Sequence, residues 1–380
     1  MTATVVARRQ SVPLEETVQL RIPGPTPIPG PVREAMARQM INHRGPEFAE
    51  LIGAVTRRLK GFFQTSNDVL LLTASGTGAL EAAVVNTLSP GDRVLAVSIG
   101  VFGDRFAEIA RAYGADVVSL SISPGQAADP DVVKRALATS GPFQAVLVTH
   151  NETSTGVTND VEAIAQVVHE SDALLLVDAI SSVGSIELKT DDWGCDVVLT
   201  GSQKGWMVPP GLAMVSVSAK AWEAYQTARL PRFYWDLGKA RSYLERGQTP
   251  ATPALSILFA LDTALELMER EGMAEIFARH RRCGDRTRNG VKALGLELFA
   301  DEAHASDTVT AVKVPNDLDA ARLLQVLRAE GVVLAGGQGA QAGKIFRIGH
   351  LGWISEADID EVLAALARAM PLARRVPASR

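Results

Sequence analysis

Residues 173–207, ALLLVDAISSVGSIELKTDDWGCDVVLTGSQKGWM, decide the fold. Two apolar runs, ALLLV and DVVLT, each give way to polar chemistry: Asp178 closes the first, and Gly201-Ser202-Gln203-Lys204-Gly205 follows the second. Neither run alternates apolar with polar residues, which is how strands read when both faces are covered. Outward from this stretch the pattern repeats. VLLLT (69–73), RVLAVS (93–98), DVVSLS (116–121), QAVLVTH (144–150) and LAMVSV (212–217) read as further strands. FGDRFAEIARAYG (102–114) and DVEAIAQVVHES (160–171) between them carry the helical period. Strands alternating with helices predict a mostly parallel sheet covered on both faces. The chain between Lys204 and residue 212 is too short for a helical crossover, so 212–217 is expected to run antiparallel.

Residues 231–253, PRFYWDLGKARSYLERGQTPATP, interrupt this rhythm with aromatics and prolines. The long helical pattern ALSILFALDTALELMEREG follows, and then a second alternation with strands near TVTAVKVP and KIFRIGH. The expected organisation is an N-terminal arm (1–20), a large domain (21–265) and a smaller C-terminal α/β domain (266–380).

A length of 380 residues suits a large domain plus a smaller one. A formal net charge of −5 argues against a general nucleic-acid binder, which needs a basic excess against phosphates. The two cysteines, Cys195 and Cys283, fit a reducing compartment better than a disulfide scaffold. The first residues lack the apolar core of a signal peptide, and no apolar run approaches a membrane span. A cytoplasmic enzyme without a membrane or nucleic-acid partner is the expectation.

Asp178 ends a strand at the carboxyl edge of the expected sheet, where open α/β folds bind ligands. A lone Asp there also fits a helix cap or a surface turn. Lys204 ends the next strand between two glycines, which let the backbone approach something bulky. Partial desolvation there lowers a lysine's pKa and frees a nucleophilic amine, whereas a single loop lysine is ordinarily just solvated. Together, the Asp and the Lys are what a pyridine-ring cofactor needs: a carboxylate for the ring nitrogen and an amine for an imine. In LLLTASGTGALEAAVVN (70–86), Ser75, Gly76 and Thr77 open a helix whose free amides suit a phosphate, although plain capping reads the same way. No G-K-[ST] and no G-x-G-x-x-G accompany it. Phe102, between Gly100 and Gly103, can stack on a flat ring or staple the helix to the core.

The series SGTGALEAA, VFGDR, THNETSTG, LLLVDAISS, GSQKG and GKIFRIG resembles class V of the fold-type I aminotransferases, most of all the alanine–glyoxylate and serine–glyoxylate (serine–pyruvate) group. The likeness runs from about residue 20 to 370. It implies a fold-type I α/β architecture, with a mostly parallel seven-stranded sheet in the large domain, and pyridoxal 5′-phosphate as cofactor. Lys204 would carry the cofactor as a Schiff base, and Asp178 would face the ring nitrogen. Ser75, Gly76, Thr77 and Gln203 would hold the phosphate, while Thr153 would contact the ring hydroxyl. Phe102 stands where relatives often have Trp. Thr249 and Thr252 would reach the phosphate of a neighbouring subunit in a homodimer, with Thr249 replacing a Tyr. Arg347, in an otherwise apolar strand, would bind the substrate carboxylate; otherwise it forms a buried pair with an acidic residue. His43, Arg44 and the Gly24-Pro25-Thr26 turn are candidates for the entrance, and Tyr234, Trp235 and His350 for the pocket wall.

The implied reaction is ping-pong transamination between a small amino acid, alanine or serine, and glyoxylate or pyruvate. A 2-aminoethylphosphonate aminotransferase would use the same constellation. A nucleotide-binding oxidoreductase fits the sheet pattern but lacks the glycine fingerprint. A cysteine desulfurase needs a loop thiol, and neither Cys195, before a strand, nor Cys283, in RHRRCGDRTRNG, reads as one.

Overall fold

The computed structural model describes residues 18–375; residues 1–17, nearly all of the expected N-terminal arm, lie outside the described residues. The central sheet has seven strands: β1 (Asp68–Leu72), β2 (Arg93–Ser98), β3 (Asp116–Ser121), β4 (Ala145–Thr149), β5 (Leu174–Asp178), β6 (Val197–Gly201) and β7 (Ala213–Val217). Their spatial order is β1-β7-β6-β5-β4-β2-β3. All neighbours are parallel except β7, which runs antiparallel to both β1 and β6. The short 202–212 link returns the chain directly, as its length dictates.

Burial explains why these runs need no alternation. Every residue of β4, β5 and β6 is buried, and each fully buried Leu or Val contributes about 1.5–3 kcal/mol. The outermost strand, β3, instead turns Asp116, Ser119 and Ser121 to solvent, polar residues that protect an open edge. Helix α1 (Gly76–Thr87) packs on β6 and β7, and α2 (Val101–Ala112) packs on β2 and β4. Since β1, β2, β4, β5 and β6 point the same way, the segments that follow them emerge on one edge of the sheet.

Helix α3 (Leu255–Glu271) buries Leu258, Phe259, Leu261 and Leu265 in the large core, which also takes Ile276 from α4 (Met273–Ala293). A second, antiparallel sheet follows in the order β8-β10-β9, from β8 (Val309–Lys313), β9 (Ala335–Gly336) and β10 (Ile345–Gly349). It has its own core, built around Leu323, Phe346, Ile348 and Leu366, the last from α5 (Glu356–Leu372). Gln19–Leu20 pairs in parallel with Val332–Val333, and the chain then passes Gly349 on its way to the Lys204 loop. No helix among the described residues is long and apolar enough to cross a membrane.

Candidate active site

A cavity of about 110 Å³ opens at the shared edge of the parallel strands. β5 contributes Asp178, with Ile180 and Ser181 just beyond it, and the loop after β6 contributes Gln203 and Lys204. Ser75, Gly76 and Thr77 line it from the start of α1, Phe102 and Arg105 from α2, and Asn151 and Thr153 from the turn after β4.

Asp178 is almost completely buried and accepts one hydrogen bond, from Ile180 N to Oδ1 at 3.0 Å. Burial pushes its carboxyl up to about 7. The Ile180 bond opposes that rise, Glu152's charge adds to it, and Lys204 and Arg105 pull back down. Lys204 is 9% exposed, and burial lowers its amine to about 8, against the upward pull of Asp178. The charge of Arg347 lowers it further. These opposed shifts leave an amine and a carboxyl that both titrate near neutrality in one cavity, a combination associated with reactive sites.

The Lys204 loop is clasped by the chain near the N-terminus. Lys204 Nζ donates to Pro23 O, Thr26 Oγ1 donates to Lys204 O at 3.0 Å, and Thr26 N donates to Gln203 O at 3.1 Å. Gly24 is required by this approach: its φ is +127°, and a Cβ there would lie 2.6 Å from Lys204 Cδ.

The anion-binding features lie at the start of α1. Ser75 is extended and makes no side-chain cap, so its hydroxyl does not satisfy the helix's first amides. Gln203 Oε1 is buried without a hydrogen-bond partner. A Cβ on Gly76 would come within 2.5 Å of Ile180 Cδ1, so glycine lets the helix start close against that side chain.

Arg347 sits mid-strand in β10 and is 5% exposed. Its Nε donates to Gly336 O (2.9 Å), and Nη1 donates to Thr153 O (3.0 Å) and Gln338 Oε1 (3.3 Å). It forms no ion pair among the described residues; the nearby charge of Glu152 only partly offsets the burial that lowers its pKa. The alternative of a closed Arg–carboxylate pair is therefore absent, and a buried guanidinium is left without a counter-ion in contact.

Other singled-out residues lie elsewhere. Thr249 Oγ1 donates to Ala251 O (2.8 Å) and lines a separate groove of about 300 Å³ with Phe233 and Tyr234; Thr252 is exposed. Trp235 packs on Gly78 and donates to Glu81 at 3.0 Å. His350 is fully buried, its two nitrogens engaged by Thr310 Oγ1 and Asp307 O. His43 is half-buried, and the exposed Arg44 donates to Gln248 at 2.9 Å. Both cysteines are buried, with burial pushing Cys195 up to about 12 and Cys283 up to about 11, and neither lines the cavity. Asn151, Ser181 and Arg105 were not singled out from sequence. The signal that could have found them is their place inside the quoted stretches: Asn151 opens NETSTG, Arg105 closes VFGDR and Ser181 lies in LLLVDAISS.

The aminotransferase class-V family model matches residues 30–355. The small subunit of a soluble hydrogenase from a Synechococcus species is 47% identical over 93% of this chain and 93% of its own length. L-aspartate–glyoxylate aminotransferase from Paracoccus denitrificans is 40% identical over 88% of this chain and 87% of its own. The crystal structure of an alanine–glyoxylate aminotransferase from a Nostoc species superposes with a TM-score of 0.91 at 30% identity, covering 97% of this chain and 100% of that one. The fold is that of the fold-type I, pyridoxal-phosphate-dependent transferases. The chain belongs to the class V aminotransferase family.

The cavity's donor set fits pyridoxal phosphate. A helix N-terminus with an uncommitted hydroxyl and an orphaned amide oxygen suits the phosphate end, where the Gln203 amide would turn its NH₂ to the anion. At the other end, Asp178 keeps Oδ2 without a protein partner, and Lys204 holds only a carbonyl.

Proposed function

We propose that this aminotransferase exchanges an amino group between a small amino acid, alanine or serine, and a 2-oxo acid such as glyoxylate or pyruvate, in ping-pong fashion. One observation carries the reading: Asp178 and Lys204, buried at the ends of neighbouring parallel strands, face one cavity beside a helix N-terminus. Ser75, Gly76, Thr77 and Gln203 would hold the cofactor's phosphate, Thr153 its ring hydroxyl, Phe102 one ring face, and Asp178 the ring nitrogen. When bound, pyridoxal phosphate supplies an aldehyde that condenses with amines and a ring that takes up negative charge from the substrate α-carbon. Lys204 Nζ is available as a free amine close to neutral pH. It is placed to take the α-proton and give it back, a general acid–base task. The Asp178 carboxylate holds a proton on its partner nitrogen through charge-assisted hydrogen bonding. Arg347 receives the α-carboxylate common to both substrates, which replaces its missing counter-ion.

Thr249 and Thr252 lie outside this cavity, beside the groove containing Phe233 and Tyr234. Their position supports a homodimer in which they serve the neighbouring copy's phosphate. We also infer two bodies; Met268 and Ile276 pack in the large core, so we draw the division inside α4 rather than at the expected 265/266.

The decisive experiment takes alanine, serine, aspartate and 2-aminoethylphosphonate as donors to glyoxylate and pyruvate, and follows the visible absorbance of the bound cofactor. The reading expects bleaching by a small α-amino acid and recovery on adding the 2-oxo acid. Bleaching by the phosphonate alone would assign the site to that chemistry, and a protein that takes up no pyridoxal phosphate would end the reading.

A further inference from the structure

Glu152 follows β4 in the turn Asn151–Gly156 and is completely buried, yet it does not line the cavity. Its Oε2 accepts from Phe102 N (2.9 Å) and Gly103 N (3.1 Å), and its Oε1 accepts from Ser154 N (3.0 Å). Ser154 Oγ in turn accepts from Val101 N at 3.0 Å. The first three amides of α2 are thus all satisfied by this one turn rather than by a residue of their own segment. The fit is close: a Cβ on Gly100 would lie 2.5 Å from Ser154 Oγ and 2.7 Å from Glu152 Cγ.

The other side of the same turn meets the second sheet. Thr153 O, one residue on, accepts from Arg347 Nη1 at 3.0 Å. Among the described residues Glu152 is also the one acidic group whose charge bears on Arg347, and its charge reaches Lys204 and Asp178 as well. Phe102, from helix α2, and Arg347, from β10 of the second sheet, therefore hang from adjacent residues of one turn.

We propose that Glu152 is the positioning residue that sets both walls of the site, fixing Phe102 through the first turn of α2 and Arg347 through Thr153 O. The proposal rests on the reading that Phe102 faces the cofactor ring and Arg347 the substrate carboxylate. A carboxylate is needed there for a stated reason. Three backbone N–H groups converge on its two oxygens, so a glutamine would set its NH₂ against at least one donor. The positive end of the α2 dipole adds to the preference for an anion.

The test compares Glu152→Ala, Glu152→Gln and Ser154→Ala with the unaltered full chain. Amide hydrogen exchange over residues 100–106 reads the clasp without reference to activity. The expected result is exchange about 10-fold or more faster in Glu152→Ala, with smaller increases in Glu152→Gln and Ser154→Ala, as follows from losing buried charge-assisted acceptors. In the holoenzyme, Glu152→Ala should also change the visible circular dichroism of the bound cofactor and raise KM for the amino acid about 10-fold, with kcat falling less. Glu152→Gln should recover part of both. If Glu152→Ala does not fold, the other two variants carry the same readouts. Unchanged exchange and unchanged KM and dichroism in the variants that fold would overturn the proposal. So would faster exchange with KM and dichroism intact, since that is what a purely structural carboxylate gives. Failure of the unaltered protein to bind cofactor would instead strike the functional reading, while the exchange result on Glu152 would still stand.

Discussion

Arg347 and Arg282 show how differently two regions of the molecule treat the same side chain. On helix α4, the exposed Arg282 pairs with Glu275 (2.7 Å) and Glu356 (3.1 Å), and Arg286 beside it holds Asp360 through two nitrogens. Water screens these charges, and pairs of this kind carry little energy. In the cavity region, Arg347, Lys204 and Asp178 are buried, and Arg347 and Lys204 donate only to neutral oxygens. A buried charge without a partner is costly. Asp178 and Lys204 line the cavity, and Arg347, which does not, bonds to the backbone of the lining residue Thr153; a fold retains such groups together when a ligand supplies what the protein withholds. The lesson is that the incompletely paired charges mark the site, and the well-paired ones do not.

That contrast can be broken most directly at Lys204. Lys204→Ala should lower turnover by about 10⁴-fold or more and abolish the visible band of covalently held cofactor; normal turnover in this variant would refute the assignment. Asp178→Asn should lower kcat by about 10²–10³-fold with the cofactor still bound, since the neutral amide no longer favours a protonated ring nitrogen. An unchanged rate would remove Asp178 from the chemistry. Arg347→Ala should raise KM by about 10–100-fold, the loss of a buried charge-assisted pair with substrate, and leave the cofactor spectrum intact. Arg282→Ala should leave KM where it was. Equal effects from the two arginines would mean that pairing does not distinguish function from surface.

The smallest effect concerns stability against pH. Burial lowers His150 to about 4 and His280 and His350 to about 3. His280 is held neutral by donating Nδ1 to Ile276 O (2.7 Å) and accepting at Nε2 from Gly352 N (3.1 Å). Below about 6.5 the unfolded chain takes up protons at these histidines while the folded protein does not, so stability is lost as pH falls. Urea midpoints should decline as pH falls from 6.5 to 5, the three histidines outweighing the opposite contribution of Asp178, whose carboxyl keeps its proton up to about 7 in the folded protein. A profile that stays flat across that window in Asp178→Asn as well, where the opposing carboxyl is removed, would show that burial does not hold the three rings neutral.

Much of this was legible before folding because its cause is local. Continuous Val and Leu runs mark buried parallel strands, and the shortness of 202–212 forces β7 antiparallel. Residues that follow parallel strands must share an edge, which brought Ser75, Phe102, Thr153, Asp178 and Lys204 to one cavity. Glu152 lay in plain view within NETSTG but carried no signal, because its partners are the backbone amides of residues 102, 103 and 154. The part of Pro23 was hidden for the same reason: a carbonyl oxygen has no sequence identity.

Strand type, strand order along the chain, the edge on which the polar residues emerge and the family all follow from the amino-acid sequence, since each depends on patterns within a few tens of residues. Only the tertiary structure decided that Arg347 has no acidic partner, that Trp235 and His350 stand away from the cavity, and that one turn joins Phe102 to Arg347. Those facts depend on which groups meet across two separately cored sheets, and contact over that distance is a property of packing that linear spacing does not encode.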